Sequence, residues 1–171
     1  MPPSILVRFK KQLPLRRQSM VLFLKKFDTK FVRGISKLVN QASDETWASV
    51  DCLSCANCCK VMTPTFTKKD LKRISAHFNM SEKDFYTKWL KTDEDNGDLV
   101  NRIQPCQFLN LQTNKCTIYA IRPEDCAQFP HFNKKPFADY NHIHEQNIEY
   151  CPATFLFITQ LQQKIEKEFV W

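Results

Sequence analysis

The stretch Cys52-Leu-Ser-Cys55-Ala-Asn-Cys58-Cys59 contains four of the eight cysteines in this chain of 171 residues. A spacer of two residues lets the backbone fold back so that two sulfur atoms reach one ion, as in structural zinc sites. Three cysteines at this spacing can also bind successive corners of an iron-sulfur cluster. Adjacent side chains tend to diverge, so we expect Cys58 and Cys59 to serve different metals, different corners of a cluster, or only one of them to bind. The stretch therefore predicts a metal or cluster site on a tight loop or irregular helical turns.

The remaining cysteines extend the predicted ligand set. Pro123 begins a predicted helical turn that carries Cys126, and Cys151 precedes Pro152 at the predicted N-cap of the last helix. At that position the helix dipole and the free amides would stabilise a thiolate. The alternative for each is burial as a small apolar residue, a common fate of cysteine. The predicted ligands are Cys52, Cys55, Cys58, Cys59, Cys106, Cys116, Cys126 and Cys151.

Three histidines offer nitrogen ligands for the same metal. His142 and His144 would lie on one side of an extended strand, and His131 follows Phe129-Pro130. A neutral imidazole is a good ligand for zinc or iron when the geometry allows it. Each histidine is more often a surface or loop residue, so their part in the site stays open.

The N-terminal sequence predicts a reducing, cytoplasmic location. The apolar run Met20-Val21-Leu22-Phe23-Leu24 is closed by Lys25-Lys26, so it is shorter than the core of a secretory signal. No run approaches the length of about 18 apolar residues that a transmembrane helix needs. Paired cysteines in a cytosolic chain are more often metal ligands or redox groups than disulfides. This favours metal binding over a disulfide framework.

Glycine content argues against a nucleotide site. The chain has 2 glycines, Gly34 and Gly97, and each stands alone. No glycine-rich loop exists to bring backbone amides close to a phosphate group. The sequence therefore predicts no binding of nucleotides or dinucleotide cofactors.

The positive charge is concentrated at the N-terminus. Residues 1–34 contain nine Lys and Arg against one acidic residue, Asp28, whereas the rest of the chain is close to neutral. This placement argues against a nucleic-acid partner for the body of the protein. We expect residues 1–16 to form a poorly ordered basic arm, followed by an amphipathic helix. Its predicted apolar stripe consists of Met20, Leu24, Phe27, Phe31, Ile35 and Leu38. The stripe either packs on the domain, which we favour, or binds a partner or a membrane surface.

The rest of the chain predicts a mainly α (α+β) fold. Two short helices start at Thr67 and Ser81, each with an acidic residue three positions later, as in a capping box. Short apolar runs over 99–103, 106–111 and 116–119 predict strands, with a small antiparallel β-hairpin at the polar turn 112–115. A last helix begins at Pro152 and carries an apolar face made of Phe155, Ile158, Leu161, Ile165 and Phe169. The predicted division is a basic arm and helix over 1–44 and a cysteine-cluster domain over 45–171.

At these residues the chain resembles the YkgJ-like cysteine-cluster family, whose CxxCxxCC domain is described as zinc- or iron-chelating. The leading motif is present at residues 52–59, and the second part of the family pattern resembles Cys106-Gln-Phe-Leu109, Cys116-Thr-Ile-Tyr119 and Arg122-Pro-Glu-Asp-Cys126 with Phe129-Pro130. The resemblance covers roughly residues 45–155. It implies metal chelation by the cysteines, with zinc and iron both open, and no defined reaction.

Three functional hypotheses follow. The first is a metal-binding protein that chelates zinc or iron, in which the iron can belong to an iron-sulfur cluster. The second is an iron-sulfur enzyme or electron carrier, so enzymatic activity stays undecided. The third is an interaction module in which the metal only stabilises the fold and the basic N-terminal helix binds a protein partner, a membrane or a nucleic acid.

Overall fold

The computed structural model describes residues 4–168. The chain forms two compact units: unit 1 contains residues 4–55 and 130–168, and unit 2 contains residues 56–129. In chain order the elements are α1 (Ile5–Lys26), α2 (Ile35–Ser49), α3 (Cys52–Cys55), α4 (Asn57–Val61), β1 (Thr65–Phe66), α5 (Lys68–His77), α6 (Glu82–Trp89), β2 (Leu90–Thr92), β3 (Leu99–Asn101), β4 (Leu109–Asn110), β5 (Lys115–Cys116), α7 (Glu124–Gln128), α8 (Asn141–Ile148) and α9 (Pro152–Glu168). Short 3-10 turns lie at Tyr119–Ile121 and Phe137–Tyr140.

The predicted mainly α fold with a small antiparallel hairpin is confirmed. The domain boundary predicted between residues 44 and 45 stays a prediction, since compactness divides the chain after residue 55 and again after residue 129.

Unit 1 is a helical unit in which α9 packs against α1, α2 and α8. The predicted apolar face of α9 is confirmed over its described part, because Phe155, Ile158, Leu161 and Ile165 are all buried. Phe169, which was assigned to the same face, lies outside the described residues. Aromatic rings fill the centre, where Phe132 stacks on Phe157 with 4.0 Å between ring centroids. The burial of these apolar side chains is the main force that holds the helices together.

The N-terminal prediction needs two corrections. Described residues of the predicted arm are helical, because α1 begins at Ile5, where the Ser4 side chain accepts a hydrogen bond from the Val7 amide at 3.3 Å. Phe9 explains the difference: it is buried against Phe155, with 5.6 Å between ring centroids, so tertiary packing orders this segment. Residues 1–3 of the predicted arm lie outside the described residues.

The predicted amphipathic helix is also not continuous. It ends at Lys26, and α2 starts only after Gly34, whose φ of 77° is a left-handed conformation that glycine adopts easily. The Asn141 amide binds the Leu24 carbonyl and the Asp28 carboxylate, which stabilises this break. Met20, Leu24, Phe27 and Leu38 of the stripe pack inside as favoured, but Phe31 is 90% exposed in the break.

Unit 2 contains the two sheets. β3 is the centre of a three-stranded antiparallel sheet in the order β1-β3-β2, with Val100 opposite both Thr65 and Lys91. β4 and β5 form the predicted hairpin, in which Leu109 faces Cys116. α5 and α6 cover an aromatic core in which Phe85 and Phe108 stack with 6.2 Å between centroids.

The two predicted helix starts in unit 2 are confirmed. The Thr67 hydroxyl accepts a hydrogen bond from the Asp70 amide at 3.1 Å, while the Asp70 carboxylate accepts one from the Thr67 amide at 3.0 Å. At α6 the Ser81 hydroxyl accepts from the Asp84 amide at 3.1 Å. These bonds satisfy amides that the first turn of a helix otherwise leaves open. None of the described helices is both long enough and apolar enough to cross a bilayer.

Candidate metal centre

The cysteine motif lies on two short helical turns, as predicted. α3 carries Cys52 and Cys55, and the carbonyl and carboxylate of Asp51 hold its start by accepting hydrogen bonds from the Cys55 and Leu53 amides at 3.2 and 3.0 Å. Ala56 then takes a left-handed φ of 47°, which reverses the chain before α4. The division between the two units falls directly after Cys55. Cys58 and Cys59 therefore belong to unit 2, and Cys52 and Cys55 belong to unit 1.

The adjacent thiols of α4 lie closer together than the sequence led us to expect. The Cys58 and Cys59 sulfurs are 4.0 Å apart. Four thiolates at about 2.3 Å from a tetrahedral zinc ion lie about 3.8 Å from one another. The two side chains therefore do not diverge, and their spacing fits neighbouring ligands of one ion or one cluster.

The hairpin places two more cysteines beside Cys59. The Cys106 amide donates to the Cys59 carbonyl at 2.8 Å, which joins the start of the hairpin segment to α4. Cys116 lies on β5, opposite Leu109. Burial raises the pKa of both thiols, and a negative charge on Cys59 would raise both pKa values further. These charge effects show that the three sulfurs share one electrostatic environment.

α7 brings a fourth thiol into the same environment. Cys126 is half-buried, and burial raises its pKa strongly. The Asp125 carboxylate, and negative charge on Cys59, Cys106 or Cys116, would favour the protonated thiol as well. Thiols from α4, the hairpin segment and α7 thus act on one another electrostatically. We define them as the unit 2 thiol cluster: Cys59, Cys106, Cys116 and Cys126.

Two carboxylates hold α7 in place. Asp70 of α5 accepts a hydrogen bond from the Glu124 amide at 3.1 Å, at the start of α7. Asp125 accepts one from the Thr65 amide of β1 at 3.1 Å. These contacts position Cys126, and no local sequence pattern predicts them. The capping pattern of Asp70 was visible in the sequence, but its second bond, to a residue 54 positions later, left no local signal.

The chemistry of the unit 2 thiol cluster favours a cation. Packing several thiolates together in a half-buried place is costly, because each negative charge raises the pKa of the others. A bound divalent metal would offset that repulsion and displace the thiol protons. Thiolate sulfur is a ligand that suits zinc and iron-sulfur clusters. Over residues 4–168, no three His, Cys, Asp or Glu side chains are yet closed around one point at metal-binding distances.

Unit 1 carries Cys52, Cys55 and Cys151. Cys52 is exposed, whereas Cys151 is 7% exposed immediately before α9. Its thiol accepts hydrogen bonds from the amides of Ala153 and Thr154, as a residue at a helix N-terminus should. Burial nevertheless outweighs these bonds and raises the pKa of Cys151 to about 11. The expected stabilisation of a Cys151 thiolate by the helix is thus present but too small to ionise the thiol in the absence of a cation.

The histidines do not form the predicted extended pair. His142 and His144 lie on helix α8, where residues two positions apart point in different directions, so His142 is exposed and His144 is fully buried. The His144 ring stacks on Phe137 with 4.8 Å between centroids. Burial, with smaller contributions from positive charge at His131 and His142, lowers the pKa of His144 to about 4. His131 is buried in a left-handed conformation, with a φ of 71°.

Comparison with known proteins assigns the cysteine-containing part of the chain to a family. A stretch of 81 residues is 32% identical to an uncharacterized protein of Methanocaldococcus jannaschii, a match that covers 47% of this chain and 43% of the relative. The matched part is thus less than half of that relative's length. No solved structure matches the chain. Residues 51–152, more than half of the chain, match the model of the CxxCxxCC family, described as "Putative zinc- or iron-chelating domain". The chain therefore belongs to the CxxCxxCC family.

Proposed function

We propose that this protein chelates zinc or iron through cysteine thiolates, with the unit 2 thiol cluster as the central ligand set. The single observation that carries the proposal is the mutual electrostatic effect of the Cys59, Cys106, Cys116 and Cys126 thiols, which come from α4, the loop before β4, β5 and α7. Four buried or half-buried thiols that raise one another's pKa are unfavourable as thiolates unless a cation joins them.

The other four cysteines complete the predicted ligand set. Cys58 lies 4.0 Å from Cys59 by sulfur, so it can exchange with a cluster thiol or bind a second metal in unit 2. Within unit 1, negative charge on Cys52 raises the pKa of the Cys151 thiol. This interaction supports a role for the pair, and for Cys55 on the same helix as Cys52, in metal binding. The cytoplasmic location predicted from the sequence would keep these thiols reduced.

The identity of the metal distinguishes two forms of the proposal. A tetrahedral zinc site needs four thiolates and leaves the protein colourless. The additional thiol of Cys58, adjacent to the cluster, favours a polynuclear iron-sulfur centre as the second candidate, either as an electron carrier or in an enzyme.

The test is metal analysis of the full chain purified without oxygen, together with its optical spectrum. We expect about one zinc ion, or an iron-sulfur cluster whose visible absorption bleaches with dithionite. Single replacements of Cys59, Cys106, Cys116 and Cys126 by serine should each lower the bound metal by at least half. Ser54→Ala provides the control, because it changes an exposed side chain within the motif and removes no thiol. Protein that contains neither metal under these conditions, and takes up neither when it is supplied, would contradict the proposal.

A further inference from the structure

The N-terminal helix α1 has one face fixed inside unit 1. Phe9, Met20, Phe23 and Leu24 are buried there, and Phe9 contacts Phe155 edge to face. On the flank of the same helix, Arg17 forms an ion pair with Glu149. The inner face of α1 is therefore occupied, and the helix cannot rotate to present it elsewhere.

The opposite face of α1 exposes apolar side chains. Val7, Leu15 and Leu22 are 57%, 81% and 57% exposed. At about 100° per residue, these three positions fall within an arc of about 80° on the helix surface. Apolar side chains collected on one exposed stripe differ from the scattered ones that most protein surfaces carry.

The same arc is strongly cationic. Arg8, Lys11 and Lys25 are exposed and lie among the apolar positions, within about 100° at the same angle per residue. Over residues 1–34 the charge is that of nine Lys and Arg against one acid. The outer face of α1 thus combines large aliphatic side chains with a dense positive charge.

The loop after α1 continues this character. Phe31 is 90% exposed, while its neighbour Val32 is 5% exposed and fixes the loop to unit 1. Lys30 and Arg33 flank the pair and are both exposed. A phenylalanine held outward between two cations is well suited to insertion below lipid headgroups.

We propose that the outer face of α1, with Phe31, binds the surface of an anionic lipid bilayer. Charge selects this occupant: a second copy of the chain would bring two strongly positive segments together, whereas anionic headgroups complement them. The aliphatic stripe adds contacts that a nucleic-acid backbone does not offer. The helix lies on the surface and does not span the bilayer, because cations occur along it and its inner face is packed on unit 1.

Co-sedimentation of the full chain with vesicles tests the proposal. We expect at least tenfold stronger partitioning onto vesicles of phosphatidylcholine with 30% phosphatidylglycerol than onto phosphatidylcholine alone. Added salt should weaken this binding, since it screens the attraction between the cations and the headgroups. The metal content of the protein should not change it, so this test is independent of the proposed chelation.

Matched variants distinguish binding by the outer face of α1 from non-specific adsorption to vesicles. Leu15→Gln with Leu22→Gln, and separately Lys11→Gln with Lys25→Gln, should each lower partitioning at least fivefold. The controls alter equally exposed residues of unit 2: Ile103→Gln with Leu111→Gln, and Lys91→Gln with Lys115→Gln. These should leave partitioning unchanged, and circular dichroism verifies that all variants fold.

Three outcomes would overturn the proposal. One is equal binding to both kinds of vesicle, or to neither. Another is an equal loss of binding in the control variants. A third is binding of the chain to a duplex oligonucleotide at concentrations at which it ignores the anionic vesicles, which would assign the face to nucleic acid.

Discussion

At the residue scale, His144 is the most unusual titratable group. It is fully buried against Phe137 and Phe157, and neither ring nitrogen makes a hydrogen bond to a described residue. Its pKa of about 4 lies below the ordinary value of 6.5, so the folded protein holds the neutral ring. Positive charge on His131 or His142 would also oppose protonation of the His144 ring.

Acid should therefore destabilise unit 1 through His144. Between about pH 6.5 and pH 4 the unfolded chain binds a proton at this position that the folded chain does not. The contribution of the neutral His144 ring to stability is fully present above pH 6.5. The free energy of unfolding then falls by about 3 kcal/mol as the pH drops through this window. We expect His144→Leu to lose this part of the pH dependence in thermal unfolding followed from pH 7.5 to pH 4.5.

His77→Leu is the control, because the same substitution there changes an exposed ring on α5 that is not among the groups acting on the pKa of His144. Protonation of thiols is common to the proteins compared, so it cancels in the difference between them. An unchanged slope in His144→Leu would show that the buried imidazole is not the source of acid sensitivity.

At the element scale, Asp70 links helix α5 to helix α7. Its carboxylate is 2% exposed and accepts hydrogen bonds from Thr67, from the Glu124 amide and from Arg73 at 2.7 Å. Burial by itself would raise the pKa of Asp70, but these bonds together outweigh it and lower the pKa. The charged form thus stabilises the fold at neutral pH, and that stabilisation is lost as the pH falls below the ordinary value for aspartate.

Asp70→Asn should weaken both unit 2 and its metal site. The asparagine amide cannot accept the same set of charge-assisted hydrogen bonds, and one of its N–H groups would face another donor. We therefore expect the free energy of unfolding to fall by about 2 kcal/mol. Because the Glu124 anchor begins the helix of Cys126, zinc affinity measured by competition with a chromophoric chelator should fall as well.

Asp84→Asn is the matched control for this change. Asp84 occupies the same position at the start of α6, but it is exposed, and Ser81 is its hydrogen-bond partner among the described residues. Asp84→Asn should lower the free energy of unfolding by about a few tenths of a kcal/mol and leave zinc affinity unaltered. Equal effects of the two substitutions would mean that Asp70 acts only as a helix cap.

At the scale of the whole molecule, the proposed ligands of unit 2 lie on very short elements or, for Cys106, in the loop before one. α4 and α7 have five residues each, and β4 and β5 have two each. Such short elements need contacts beyond their own backbone bonds to be stable. A metal held by their cysteines would supply these contacts.

Removal of metal should therefore act unevenly along the chain. After treatment with a strong chelator, hydrogen exchange of peptides from residues 56–62 and 106–128 should accelerate at least tenfold. Peptides from α1, α2 and α9 have large buried apolar faces and should change much less. The metal-loaded Ser54→Ala variant provides the reference, and uniform acceleration across both groups of peptides would contradict a site centred on unit 2.

The sequence by itself determined the family pattern, the helix starts at Thr67 and Ser81, the hairpin between Leu109 and Cys116, and the apolar face of α9. These features depend on spacings of a few residues, because caps, turns and helical faces are made by near neighbours in the chain. The tertiary structure alone decided that residues 5–16 are helical, that Phe31 faces outward, and that His144 is buried on a helix.

It also decided how the thiols group. The closeness of Cys59, Cys106, Cys116 and Cys126 depends on hydrogen bonds from Cys106 to Cys59, from Glu124 to Asp70 and from Thr65 to Asp125. The partners in these bonds are 47 to 60 positions apart in the chain. No local pattern encodes such contacts, because they form only when the core of unit 2 brings the elements together.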